Sequence, residues 1–307
     1  MTTETGGVLI APAQPGIPKA VPVLAYLALF FSVVAMGSAA IFVKWANAPG
    51  SVFGFYRMVI PLIILTIPAS LQKKSNSALS PRHLWLAILA GLFLALDLWV
   101  WINAALITSA ANATLFGNTS VFWVVLGAAL LFHEKLNAVF WGGLFLALIG
   151  VFVILGQDFL FHPTLGLGDL MAILAGFFYG VFILATARAR ERLGAFVVWW
   201  VSSLVSAFAL LVISLLLQLP LSGYPVQTYL SILGAAFLIQ IGGYLAVNYV
   251  LGHIPASIVS PTLLGQPVVA AIFAVFLLGQ PITATQLIGG TMMVSGIFII
   301  HRGNQKT

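Results

Sequence analysis

Residues 130–152 read LLFHEKLNAVFWGGLFLALIGVF, and residues 276–298 read FLLGQPITATQLIGGTMMVSGIF. An offset of 146 positions aligns the two stretches, each of which has an apolar end, a short polar segment and a second apolar run. The offset pairs Gly143 with Gly289, Gly150 with Gly296, and Phe152 with Phe298. Similarity at a fixed spacing indicates two structural units of the same kind.

The rest of the chain is as apolar as these stretches. Hydrophobic residues make up 62% and charged residues only 6% of the 307 positions, whereas about a quarter of a soluble domain is charged. Runs long enough to cross a bilayer occupy residues 22–43, 51–70, 84–106, 110–131, 138–156, 167–187, 196–218, 227–249, 257–278 and 284–301. Because a chain in lipid must satisfy its backbone polar groups internally, we expect an all-α polytopic membrane protein with ten transmembrane helices.

The repeat divides these ten helices into two halves. We expect an N-terminal five-helix repeat at 22–156 and a C-terminal one at 167–301, joined by a loop at 157–166. Residues 1–21 and 302–307 are expected to be cytoplasmic tails, the first of them flexible. A unit of five spans ends on the opposite side from its start, so the second copy must be inverted. Inverted repeats that expose a midplane site alternately to each side are typical of secondary transporters.

Basic residues predict the orientation. With a cytoplasmic N-terminus, ten of the twelve Lys and Arg residues flank the spans on that side. The exceptions are Lys44, at the opposite face, and Arg57, inside the second span. The sequence therefore predicts that both termini are cytoplasmic. The Arg188–Arg192 run is also placed to contact membrane lipids.

Counting excludes several other functions. The chain has no cysteine, no histidines at metal-ligand spacing with a carboxylate, and no phosphate-binding glycine loop. We therefore expect no cofactor and no metal. The net charge of +6 lies in short segments between apolar runs, which reports membrane orientation and predicts no nucleic acid partner.

Two charged residues lie within the predicted spans. Asp97 is near the middle of the third span, and Arg57 is roughly 9 Å in from the outer end of the second. A carboxylate at this depth is costly, by about 2.5–3.5 kcal/mol on insertion scales. Asp97 could couple transport to protons or bind a substrate amine; alternatively, it could form a structural ion pair with Arg57.

Neutral polar and aromatic residues are candidates for a cavity wall. Trp101 lies four residues after Asp97 and shares its helical face, although it could also belong to an interfacial aromatic belt. A polar stripe in the eighth span could line the cavity or bond to neighbouring helices. The stripe comprises Gln240, Tyr244 and Asn248; weaker candidates are Tyr179, Asn112 and Phe116.

Prolines interrupt the ninth predicted span. Pro261 and Pro267 remove backbone donors and loosen the helix, so they could form a hinge beside a cavity or a simple packing kink.

The Glu134 loop, its counterpart at Gln280 and the Phe55-Tyr56-Arg57 segment together resemble the drug/metabolite transporter superfamily, in particular the EamA-type exporters. The sequence departs from that pattern at Gln280, where glutamate is common, and at Val121, which corresponds to Pro267. The aromatic content resembles the subgroup that exports aromatic and other amino acids. The resemblance implies a location in a bacterial inner membrane.

We therefore expect a secondary transporter of small organic metabolites, namely amino acids including aromatic ones, which works as a monomer by alternating access about a midplane cavity. One alternative is a carrier of anionic metabolites such as sugar phosphates, which would need more basic residues in the membrane. Another is a membrane-embedded enzyme acting on lipid-like substrates, for which Asp158, His162 and Asp169 are the nearest approach to an acid–base cluster.

Overall fold

A computed structural model describes residues 21–71, 81–108, 110–134, 136–161, 165–278 and 283–304. Within these ranges the regular structure is helical. The ten spans, some made of more than one helix, are Val23–Gly37 with Ala39–Ala46, Gly50–Leu71, Pro81–Ile107, Ala110–Gly117 with Ser120–Leu131, Ala138–Phe161, Leu167–Arg190, Ala195–Leu216, Val226–Ala235 with Ala236–Leu245 and Ala246–Val250, Ala256–Leu263 with Gln266–Leu278, and Ala284–Asn304.

The spans have the length and surface expected for a bilayer. In the described part of the chain, nine spans are long and apolar enough to cross a membrane, and the second contributes the shorter apolar helix Gly50–Thr66. Large apolar side chains such as Phe208 and Phe276 are exposed on the outside of the bundle. The prediction of an all-α fold with ten spans is confirmed.

Hydrogen bonds between spans show which ends lie together. At one end, Arg190 Nε donates to the Asn248 carbonyl oxygen (2.6 Å) and Asn137 Nδ2 donates to the Gly303 carbonyl oxygen (3.2 Å). At the other, Thr228 Oγ1 donates to the Ala46 carbonyl oxygen (2.8 Å). We call the first the basic end, because Arg82, Arg188, Arg190, Arg192 and Arg302 lie there. Five further predicted flanking residues, Lys19, Lys73, Lys74, Lys135 and Lys306, lie outside the described residues.

The fifth and tenth spans cross at the glycines that the repeat aligns. A Cβ atom added to Gly143 would lie 2.8 Å from the Gly296 carbonyl oxygen, and one added to Gly150 would lie 2.5 Å from that of Gly289. Since Gly143 corresponds to Gly289 and Gly150 to Gly296, the two contacts are the same contact made twice. Such reciprocity is the property of a two-fold axis.

The fourth and ninth spans are interrupted at equivalent positions. Thr119 N donates to the Phe116 carbonyl oxygen (3.1 Å), and its counterpart Gly265 N donates to that of Thr262 (3.0 Å). Both bonds span three residues instead of four, which tightens the helix locally. Because the fourth span contains no proline here, proline alone does not produce these interruptions. In the ninth span, Pro261 lies in the helix that precedes the interruption, and Pro267 lies just after the interruption.

The eighth span departs from this symmetry. Residues Ala236–Leu245 form a π-helix, in which the backbone bonds join residues five apart. Trp199 Nε1 donates to the Gln240 carbonyl oxygen there (2.9 Å). The wide turn changes which side chains of this span share a face.

Candidate functional site

A cavity of about 110 Å³ lies between the two halves of the bundle. Its wall is built from seven spans: the first four, the sixth, the eighth and the ninth. The residues on it are Met36, Gly37, Ala39, Ala40, Arg57, Asp97, Leu98, Trp101, Thr114, Gly117, Asn118, Gly176, Tyr179, Ile239, Tyr244, Gln266 and Ala270. The volume is enough for several water molecules, so polar groups on the wall can be solvated or can bind a solute.

Both interruptions reach this cavity. Gly117 and Asn118 come from the break in the fourth span, and Gln266 follows the break in the ninth. On the basic side of the breaks, helix Ser120–Leu131 packs against helix Ala256–Leu263. On the other side, helix Ala110–Gly117 packs on the fifth and sixth spans, and helix Gln266–Leu278 packs mainly on the first. The fourth and ninth spans therefore converge towards the basic end.

Arg57 and Asp97 both line the cavity but do not form the ion pair considered from the sequence. Among the described residues the structure contains the ion pair Arg188–Glu191, whereas no nitrogen of Arg57 lies within 4.0 Å of an Asp97 oxygen. Both side chains are buried, with exposed fractions of 2% and 7%. The ion-pair interpretation is corrected: each charge faces the cavity without the other as a direct partner.

The neighbours of Arg57 are neutral. Its Nη2 donates to Gln240 Oε1 at 3.4 Å, a long bond, and its guanidinium lies 4.9 Å from the centre of the Tyr244 ring. Gln240 in turn donates from Nε2 to Ser203 Oγ (2.9 Å). Arg57 Nε is buried without a hydrogen-bond partner. The guanidinium is thus held in place by a hydrogen bond and a cation–π contact, with donor capacity left over.

Aromatic side chains form another part of the wall. Trp101 Nε1 donates to the Ala113 carbonyl oxygen (3.2 Å), which fixes the indole between the third and fourth spans. Tyr179 and Tyr244 meet nearly edge to face, with ring centres 6.5 Å apart. Tyr179 and Tyr244 come from the sixth and eighth spans of the second half, and Trp101 comes from the third span of the first half, so rings from both halves shape the cavity.

Other candidates from the sequence lie away from the wall. Gln240 is fully buried behind Arg57, and Asn248 Nδ2 donates to the Tyr244 carbonyl oxygen (2.9 Å). Asn112 and Phe116 are in the fourth span but not among the lining residues. The polar stripe is therefore corrected: of its three members, Tyr244 is among the lining residues, whereas Gln240 and Asn248 are not.

The structure adds lining residues that sequence reasoning missed. Asn118 lies at the break in the fourth span, and its Nδ2 is buried without a hydrogen-bond partner. Thr114 and Gln266 also line the cavity. The signal that could have found Asn118 was its alignment with Leu264, next to the suspected hinge in the ninth span.

The basic end carries polar contacts between the halves and within the second half. Glu134 Oε2 accepts a hydrogen bond from Ser257 Oγ. Burial raises the pKa of the Glu134 carboxyl above its ordinary value, although the Ser257 hydrogen bond opposes this. Arg190 donates to the carbonyl oxygens of Asn248, at 2.6 Å, and Leu193. These groups join the loop after the fourth span, the sixth span and the ends of the eighth and ninth spans.

Of the residues considered for an enzyme, Asp169 is the one whose side chain the structure describes. Asp169 accepts hydrogen bonds from Thr108 Oγ1 (2.8 Å) and the Gly166 backbone (3.0 Å), so it caps the sixth span. The side chain of Asp158 and all of His162 lie outside the described residues.

Two inverted five-span units around an internal, partly charged cavity define a multi-pass membrane protein with the architecture of a carrier. The chain belongs to the EamA-like transporter family, whose sequence pattern matches residues 23–156 and again residues 166–302. The double match corresponds to the two halves of the fold.

One curated protein is similar in sequence, and one solved structure is similar in fold. An "Uncharacterized transporter" of Methanothermobacter thermautotrophicus (strain Delta H) is 27% identical over 203 residues, which cover 63% of this chain and 57% of that protein. The chain thus spans little more than half of the curated relative that it matches. A crystal structure of another protein has the same fold, with a TM-score of 0.74 and 19% sequence identity. The aligned region covers 90% of this chain and 95% of that protein.

Proposed function

We propose that the protein is a secondary transporter of small organic metabolites, and that its main substrates are amino acids, including aromatic ones. The observation that carries the proposal is the cavity between two inverted halves, with Arg57, Asp97 and aromatic rings on its wall. In this proposal, the halves rock about the axis near Gly150 and Gly289 and expose the cavity to each side in turn. The interruption in the fourth span and the one in the ninth span both reach the cavity. A change of helix direction at these points would alter access to the cavity.

The chemistry of the wall favours amino acids over multiply charged anions. Arg57 is the basic residue among the lining residues, and it is accompanied there by the acidic Asp97. A sugar phosphate would bring two negative charges to a wall whose own formal charges cancel. An amino acid has one charge of each sign and an apolar side chain, for which Trp101, Leu98 and Met36 offer contacts.

We further propose that the basic end faces the cytoplasm of a bacterial inner membrane and that the protein works as a monomer. The positive-inside rule supports this orientation, because Arg188, Arg190 and Arg192 lie at that end with Arg82 and Arg302. The cavity is built within one chain, so a second copy is not needed to complete its wall. Net direction would then follow the gradients across that membrane.

Counterflow in proteoliposomes tests the proposal. Liposomes containing the purified protein are loaded with unlabelled L-phenylalanine, L-leucine or glucose 6-phosphate, and uptake of the labelled form of each solute is followed. We expect counterflow of the amino acids and little of the sugar phosphate, with no change in the mass of the recovered solute. Protein-free liposomes measure leakage. Counterflow of the sugar phosphate alone would contradict the substrate class; a covalent product without flux would contradict transport.

A further inference from the structure

We propose that Arg57 binds the carboxylate and Asp97 the ammonium group of a zwitterionic α-amino acid, so that the cavity selects substrates with both charges. This inference rests on the proposed function and names the residues that would recognise the substrate. It concerns the two charges on the cavity wall and the donors beside them.

Arg57 has the properties of an anion-binding group. The side chain is 2% exposed, its Nε has no hydrogen-bond partner, and its hydrogen bond to Gln240 Oε1 is long at 3.4 Å. Its guanidinium is also positioned by the Tyr244 ring. A buried guanidinium ordinarily has a carboxylate or a full set of acceptors, because an unsatisfied buried charge is costly. A planar carboxylate matches the free side of such a donor fork.

A second unsatisfied donor lies on the same wall. Asn118 Nδ2 is buried without a hydrogen-bond partner, at the interruption of the fourth span. Two buried donors on one cavity wall, both lacking acceptors, favour a ligand that brings several acceptor lone pairs. A carboxylate has two oxygens and about four such sites.

Asp97 supplies the complementary charge. It lines the cavity, has an exposed fraction of 7%, and is not within ion-pair distance of Arg57. If the two residues formed an ion pair, each would satisfy the other and the wall would be effectively neutral. Because they stay apart, a ligand with both charges can bind between them and keep the sum of charges at zero. A ligand with one charge would leave the other residue unmatched.

Matched analogues test the two assignments separately. Competition against labelled L-phenylalanine counterflow is measured for L-phenylalaninamide, which lacks the carboxylate, and for 3-phenylpropionate, which lacks the amine. We expect each analogue to compete at least about 100-fold more weakly than L-phenylalanine, because the wild-type site is left with an unmatched polar group. A wild-type protein that accepts the amide as well as the amino acid would overturn the inference.

Variants then assign each charge to its residue. Arg57→Gln should weaken L-phenylalanine about tenfold or more and leave the amide nearly unchanged; Asp97→Asn should weaken L-phenylalanine and leave 3-phenylpropionate nearly unchanged. Equal losses for amino acid and analogue in both variants would show a structural role and overturn the assignment. Asn118→Ala, which keeps both charges, is expected to weaken L-phenylalanine more than its amide.

The two proposals fail differently. If wild-type protein moves no amino acid while remaining monodisperse, the proposed function fails. If it moves amino acids but does not discriminate against the amide and the deaminated acid, the transporter function stands and the zwitterion site fails. Should Arg57→Gln not fold, Arg57→Lys retains the charge without the planar fork, and it is expected to lower affinity while preserving the preference for the carboxylate.

Discussion

Gly150 packs directly against Gly289, so closely that a Cβ atom on Gly150 would lie 2.5 Å from the Gly289 carbonyl oxygen. Gly143 and Gly296 make the equivalent contact. The contact is between backbones, which have no rotamer through which to move aside. In the proposed mechanism, this crossing of the fifth and tenth spans is the fixed part about which the halves move.

A side chain at Gly150 should therefore separate the fifth and tenth spans. Gly150→Val is expected to cost about 1–3 kcal/mol or more, because overpacking forces backbone shifts. Thermal unfolding in detergent, followed by the loss of the monodisperse peak, measures the effect. Gly142→Val is the matched control: it lies in the same span and has open space where its Cβ would be. Equal loss in both variants would contradict the packing role of Gly150.

We expect the side chain at position 240 to affect what Arg57 can bind, because Gln240 accepts a hydrogen bond from it. Gln240→Glu would place a carboxylate where an amide oxygen now accepts from Arg57 Nη2 at 3.4 Å. A resident carboxylate should occupy the guanidinium and compete with that of the substrate. We predict that L-phenylalanine affinity falls about tenfold or more while the protein remains folded, measured by counterflow and size-exclusion chromatography. Gln240→Met, which adds no charge, is the comparison; unchanged affinity in Gln240→Glu would contradict this prediction.

Much of the fold could be predicted because length and hydropathy limit what a chain can do in lipid. The ten runs near 20 residues gave the right spans. The aligned glycines indicated a repeat, whereas their contacts at the crossing of the fifth and tenth spans are seen only in the structure. Boundaries were less certain: the first predicted span ended at 43, but the helix continues to Ala46 and stops at Asn47, whose φ of 44° is left-handed. The composition of an apolar run gives little information about the residue at which its helix ends.

The site could be predicted only in part because its geometry depends on how the helices pack. The spacing of Gln240, Tyr244 and Asn248 indicates that they share a face, but it does not show which neighbours that face meets: Gln240 contacts Arg57 and Ser203, and Tyr244 is the member that lines the cavity. The pairing of Arg57 with Asp97 assumed that similar depth means contact. The depth of a residue in the membrane does not determine how its helix is rotated about the helix axis. Packing between the spans sets that rotation, and so decides whether the two side chains meet.

Arg190 should stabilise the basic end more than its neighbour Arg188. It donates to two backbone carbonyl oxygens, those of Asn248 and Leu193, and charged hydrogen bonds of this kind each contribute about 1.5–3 kcal/mol. Arg188 instead forms an exposed ion pair with Glu191 at 2.5 Å, and such pairs contribute about 0–1 kcal/mol. Arg190→Gln should therefore lower thermal stability clearly, and Arg188→Gln hardly at all. The reverse order would contradict the assignment.

Glu134 should make stability depend on pH. Burial raises the pKa of its carboxyl above the ordinary value of 4.5, so the folded protein holds this proton more tightly than the unfolded chain does. The resulting stabilisation is fully present below about 4.5 and is lost as pH rises through the raised pKa of the folded state. Glu134→Gln stays neutral at every pH and can still accept from Ser257.

The melting temperature of wild type relative to Glu134→Gln should therefore fall as pH increases from below 4.5 through the raised pKa of Glu134. Unfolding of both proteins is followed across this range in the same detergent and salt. Glu191→Gln makes the same chemical change at an exposed side chain, where it also removes the ion pair with Arg188 that contributes about 0–1 kcal/mol, so it measures effects of net charge to within that amount. A difference between wild type and Glu134→Gln that is constant with pH, or that grows in favour of wild type as pH rises, would contradict the prediction. Since Glu134 lies in the first half and Ser257 in the second, ionisation would weaken a contact that must separate if the basic end opens.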